Sequence, residues 1–170
     1  RLADSDVTVP EFEGRLLERL VGMTAAEGGI VWSQDEGGWQ MAAQLQVGHA
    51  LAGDSQELNR HSRLAEIVAT SGVARCVPPA FRDAEIANAS PWLVVACPIL
   101  VGGQGVAVVE LFQRPDPRTE VREGFLRVVG AACEIAAGVH QRKLLEGTRQ
   151  REQSLASLVD YGKRIHQELE

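Results

Sequence analysis

No stretch of the chain is apolar for long enough to cross a bilayer. The longest such run, Trp92 to Val101, is about half of the ~20 residues that a membrane-spanning helix needs. The opening Arg1-Leu2-Ala3-Asp4-Ser5-Asp6 lacks the apolar core of a signal peptide, so direct membrane insertion is not expected. Basic charge is scarce. Lys and Arg number 17 against 23 Asp and Glu, a net charge of −6, and no basic cluster overrides that balance. A chain of this sign repels polyanions, so nucleic acid is not an expected partner. Cysteine is scarcer still: Cys76, Cys97 and Cys133 are odd in number, form no Cys-x-x-Cys pair and lie in apolar surroundings. That pattern excludes a disulfide framework and reads as a reduced, cytoplasmic protein. His49, His61, His140 and His166 share no metal-ligand spacing, so no metal and no other cofactor is expected. The chain begins without Met and stops at Glu170 in mid-helix pattern, which reads as a piece of a longer polypeptide.

What is present is a chain of 170 residues, 45% of them hydrophobic, enough for one domain with a real core and an appendage. Its strongest signal lies in residues 92–113, where two β-branched apolar runs flank Gly102-Gly103-Gln104-Gly105. Glycine accepts the positive φ of a tight hairpin. Both arms are too apolar for either face to meet water, which places them mid-sheet with cover on both sides.

Ahead of the hairpin, Pro10 suits the first turn of a helix, with Glu11 and Glu13 near its positive end. Phe12, Leu16, Leu17, Leu20 and Val21 give that helix one apolar stripe, and Gly28-Gly29 is expected to stop it. Ile30-Val31-Trp32 begins a strand. Trp39, Met41, Ala43, Leu45 and Val47 then alternate with Gln40, Ala42, Gln44 and Gln46, which predicts a second strand with one buried face. Asp54, with Glu57 as capping-box partner, predicts a helix through Leu58, Leu64, Ile67 and Val68 that ends at Ser71-Gly72. Val73 to Val77 reads as a short strand closed by Pro78-Pro79. Residues 80–91 read as a long irregular connection, a kind that is usually functional or disordered.

After the hairpin, Arg114-Pro115-Asp116-Pro117 breaks the strand, with Asp116 as a cap and Pro117 as the first helical residue. Phe125, Val128, Ala132, Ile135 and Val139 then form a heptad-like seam. A second seam runs through Leu155, Leu158, Gly162, Ile165 and Leu169, beyond a polar stretch that contains Gly147. One long helix, or two nearly continuous ones, leaves the body as a stalk. Unpartnered, Leu155, Leu158, Ile165 and Leu169 would expose an apolar stripe that monomers rarely tolerate, which predicts a homodimer. A parallel coiled coil is the preferred pairing and an antiparallel four-helix bundle the alternative.

In element order the chain resembles the GAF domain, a small-molecule sensory module related to PAS domains. Val94-Val95-Ala96-Cys97-Pro98-Ile99-Leu100 is similar to that family's strand of apolar run, Pro and apolar run. Gly105-Val106-Ala107-Val108-Val109-Glu110-Leu111 is similar to its Gly-(Val/Ile) strand. Residues 108–115 also resemble N-terminal GAF domains of long bacterial polypeptides, in which a second GAF domain and an efflux-adaptor-like region follow. The resemblance implies an α+β fold with a central antiparallel sheet of about five to six strands and helices on both faces. It also implies a pocket under the middle helix and long loop, and dimerisation through terminal helices on the other face. The chain divides accordingly into a loose segment 1–9, a GAF domain 10–142 and a coiled-coil-like linker helix 143–170 that leads to a downstream domain of the same polypeptide. The Asn-Lys-Phe-Asp-Glu set of the cyclic-nucleotide-binding subgroup is missing, and no Cys lies beside a His as in bilin-attaching photoreceptors.

Around the implied pocket the candidates are His61 on the middle helix, Phe81 and Trp92 as walls, and Arg75 and Arg82 as receivers of an anionic group. Cys76 and Cys97 join them. Each has a plainer reading, as a core-closing aromatic, a satisfied His, a solvated Arg or a Cys packed as a small hydrophobe. Some GAF-like proteins reduce free methionine sulfoxide with pocket cysteines, and Arg75 beside Cys76 would favour its thiolate. Three functions therefore stand: a non-catalytic sensory or regulatory module with a possible small-molecule ligand, an architectural dimerisation domain, and a thiol-dependent reductase. The first is preferred.

Overall fold

The computed structural model describes residues 8–35, 37–51, 55–116 and 118–168, and only the backbone of 49–50 and 158–168. Its elements run α1 (Val9–Thr24), β1 (Gly28–Asp35), β2 (Gly38–Leu45), α2 (Val47–Ala50), α3 (Ser55–Ser71), β3 (Arg75–Val77), β4 (Phe81–Arg82), β5 (Ala87–Asn88), β6 (Leu93–Val101), β7 (Gln104–Gln113) and α4 (Thr119–Glu168). The glycine hairpin is the heart of the sheet. Gly102 and Gly103 take φ of 59° and 82°, and the arms β6 and β7 pair along their length. The strand order β2-β1-β7-β6-β3, antiparallel throughout, puts β7 in the middle, with β1 and β6 beside it. Gly105 answers a different need. A Cβ there would stand 2.7 Å from the Ala69 Cα, because α3 crosses the hairpin at that point.

Both faces of the sheet are covered, as the apolar arms require. Val95, Cys97, Ile99, Val109 and Leu111 face α1 and α4, packing with Leu17, Leu20, Val129 and Cys133. Val94, Ala96, Val108 and Phe112 face α3, packing with Leu64, Val68 and Ile86. The alternation along each strand assigns these two cores.

Several local expectations change. Thr8 caps α1 and Glu11 completes the capping box, so Thr8 and Val9 belong to the body. Residues 1–7 of the loose segment lie outside the described residues, as does Asp54 before α3. Glu13, expected near the positive end of α1, points inward and is buried. The helix ends on Ala25 in left-handed conformation, and Gly28 and Gly29 open β1 instead of stopping α1. A Cβ on Gly29 would lie 2.8 Å from the Glu110 carbonyl oxygen and 2.9 Å from Leu17 Cδ1. The single buried face expected for β2 is split. The register slips between Val31 and Trp32, so Ala42 is an extra residue that reverses the alternation. Trp39 packs on the α3 face, Ala43 and Leu45 pack on the α1/α4 face, and Met41 is exposed. Val47 belongs to α2.

α4 begins at Thr119, later than expected. Asp116 accepts from the Arg118 amide at 2.9 Å and pairs with its guanidinium, which makes a turn before the helix; Pro117 lies outside the described residues. The helix then runs unbroken to Glu168, through Gly147. Its expected seam divides. Val139 is buried with Val129, Cys133 and Ala136, and Phe125 and Ala132 pack partly against that core. Val128 and Ile135 lie on the outer surface, Ile135 at 73% exposure, because α4 meets the sheet along Val129, Cys133 and Ala136, about 100° round the helix from them. Leu155 is exposed, the side chains of Leu158 and Ile165 are outside the description, and so is Leu169.

Candidate functional site

The α3 face carries a carboxylate in the middle of the sheet. Glu110 lies between Val108 and Phe112 on β7, the central strand, so alternation turns it under α3, where it is 1% exposed. Both oxygens are satisfied. Oε1 meets His61 Nδ1 from α3 at 2.5 Å, and Oε2 accepts from Trp32 Nε1 of β1 at 2.7 Å. Phe112 meets the His61 ring edge-on, with centroids 5.4 Å apart. Burial opposes a charge on His61. The nearby Glu110 carboxylate, its hydrogen bond and Glu57 outweigh burial, and the His61 pKa is raised. The result is a buried His61–Glu110 pair, completed by Trp32, that ties α3 to two strands.

The long connection 80–91 closes one end of this face and is well anchored. Asn88 Nδ2 donates to the carbonyls of Val77, Pro78 and Trp92 at 3.1, 3.0 and 2.8 Å. The Asn88 Oδ1 accepts from the Ser90 amide and hydroxyl. Ile86 pegs the loop into the α3-side core. Trp92 packs against the same core, and its buried indole N–H has no acceptor among the described residues.

The structure divides the seven residues singled out for a pocket. His61 and Trp92 share the α3 face. Phe81 and Arg82 lie exposed on the small β4–β5 ribbon at its margin, and Arg75 is exposed on β3. Cys76 and Cys97 lie under α4 on the opposite side, because Cys76 pairs with Val95, whose side chain faces that way. Arg75 therefore points away from the thiol it was expected to activate. Arg122 from α4 is the cation beside Cys76, and burial still raises that thiol's pKa. Burial pushes Cys97 up to about 12 and raises Cys133 as well. Such thiols are poor nucleophiles.

Sequence reasoning passed over Glu110, Trp32, Glu13 and His140 as site residues. For Glu110 a signal existed: one acid within an otherwise apolar strand expected to be covered on both faces. Among the described residues no group of three or more His, Cys, Asp or Glu side chains could hold a metal ion. No described helix is long and apolar enough to cross a membrane.

No protein-family model matches the sequence, and no curated protein is detectably similar to it. Solved structures are similar in fold. The A. aeolicus nlh2 GAF domain in an inactive state superposes with a TM-score of 0.65 at 17% identity, over 84% of this chain and 90% of that one. The GAF domain of the Acinetobacter phosphoenolpyruvate-protein phosphotransferase gives 0.58 at 13% identity, over 81% and 84%. A type II free methionine-R-sulfoxide reductase from Thermoplasma acidophilum gives 0.57 at 11% identity, over 78% and 94%. The chain has the fold of GAF domains.

Proposed function

We propose that this chain of GAF fold is a non-catalytic sensory or regulatory module. It dimerises through α4, receives a small molecule on the α3 face and passes the event to a domain that follows the linker helix 143–170 in the same cytoplasmic polypeptide. The observation that carries this reading is the division of α4. One side of it builds the core, while Val128 and Ile135, two turns apart on an outer face, are exposed, as are Leu144, Leu145 and Leu155 farther along the helix. A second α4 is the complementary cover for such exposed apolar side chains.

On the α3 face, the unpaired Trp92 N–H offers a donor to a ligand acceptor, and His61–Glu110 is the fastening that a ligand would tighten or loosen. Such a ligand acts only through different affinities for the two placements of α3. The raised thiol pKa values support a module without thiol chemistry. Sedimentation of the wild type and Ile135→Arg tests the reading. A dimer that becomes a folded monomer is expected. A wild type that stays monomeric at tens of micromolar overturns it.

A further inference from the structure

The face opposite Glu110 holds a cleft of about 590 Å³ between the first turn of α1, the β1–β2 hairpin and α4. That volume suits a small ligand. Glu13 and His140 line it together with Val9, Pro10, Met41 and Leu144. Glu13 is 1% exposed, and its buried Oε1 has no hydrogen-bond partner among the described residues. Neither has the buried Nε2 of His140, 3.4 Å away. Native proteins rarely leave two buried polar atoms unsatisfied side by side.

The charges around the cleft select one kind of guest. Asp35 adds a second carboxylate to the wall. Lys143, the basic side chain there, is held by Glu146 at 3.1 Å. The positive end of α1 is already occupied by Glu11 through the capping box. Burial lowers the pKa of His140, so its ring is neutral near pH 7 and its Nε2 can accept a hydrogen bond. Two unpartnered acceptors 3.4 Å apart suit one group with several N–H donors.

We propose that this cleft binds a small organic ammonium ion, its N–H groups donating to Glu13 Oε1 and His140 Nε2 and its apolar body lying on Val9, Pro10, Met41 and Leu144. The site is independent of the α3-face reading. Burial pushes the Glu13 pKa up to about 7 in the empty cleft, and an ammonium favours the carboxylate, so binding releases a proton from Glu13. The other titratable groups facing it are Asp35 from β1 and His140 and Lys143 from α4.

The test is calorimetric titration of the whole chain with benzylammonium, with benzyl alcohol as the uncharged counterpart, in two buffers of different ionisation enthalpy. Affinity should rise about tenfold between pH 6 and pH 8, with net proton release near pH 7. Benzyl alcohol should bind at least about tenfold more weakly, and E13Q should lose both the preference and the pH dependence. Amide shifts should map to α1, the β1–β2 hairpin and α4. Equal binding of the alcohol, shifts confined to the α3 face, or no benzylammonium binding at ~10 mM overturns the proposal. The proton release is read on the wild type, so the test survives an E13Q that fails to fold.

Discussion

Each face of the sheet sets a glutamate beside a histidine, Glu110 with His61 and Glu13 with His140, and the two faces treat the pair in opposite ways. Under α3, Glu110 and His61 meet at 2.5 Å, with Trp32 completing the carboxylate, and the His61 pKa is raised. Under α1 and α4, Glu13 and His140 stand 3.4 Å apart without a hydrogen bond. There burial dominates: Glu13 rises to about 7 and His140 is lowered. Attraction thus outweighs desolvation at His61, while desolvation prevails at Glu13 and His140. Burial alone does not set the charge state. The ångström between the partners decides whether attraction repays desolvation.

The sharpest way to break the comparison is Glu110→Ala. It leaves His61 and the Trp32 indole N–H buried without their shared acceptor and should cost about 3–5 kcal/mol in urea unfolding, enough to threaten a domain of this size. Trp32→Phe removes only the donor to Oε2 and should cost about 1–3 kcal/mol by the same measurement. Glu13→Met should do the reverse and stabilise by about 1–2 kcal/mol above pH 7, because it deletes an unpaired buried carboxyl. Loss of stability from that variant at pH 8 would show that Glu13 is paired after all.

The pH profile separates the faces further. The raised His61 pKa contributes stability that is complete below the ordinary 6.5 and is lost as pH rises through the folded-state value. Folded Glu13 keeps a proton that the unfolded chain releases near 4.5, so stability falls as pH climbs from there to about 7. His140 acts in the other direction: its lowered pKa makes stability rise with pH up to about 6.5. Urea midpoints from pH 5 to 8 should therefore decline toward the alkaline side, and Glu13→Met should flatten the lower part of that decline.

Much of the architecture was legible from local signals. The hairpin at Gly102-Gly103, the end of α3 at Ser71-Gly72 and a long C-terminal helix follow from glycine conformations and residue spacing that neighbours in sequence decide. The reading slipped where a single insertion or rotation matters. Ala42 reversed the expected face of β2, and the rotation of α4 about its own axis divided Phe125, Val128, Ala132, Ile135 and Val139 between core and surface. Of the site, His61 and Trp92 were anticipated on the α3 face, while Cys76 and Cys97 fell on the other.

From its residues alone, the chain determined that two apolar ribbons joined by glycines would lie at the centre of a sheet with both faces covered. Backbone freedom and hydrophobic periodicity act over a few residues, so they are written in the order of the letters. Only tertiary structure decided that Glu110 would meet His61 across 49 positions while Glu13 would merely approach His140. The charge of a buried acid depends on which distant group packing brings to it, and no local pattern carries that distance.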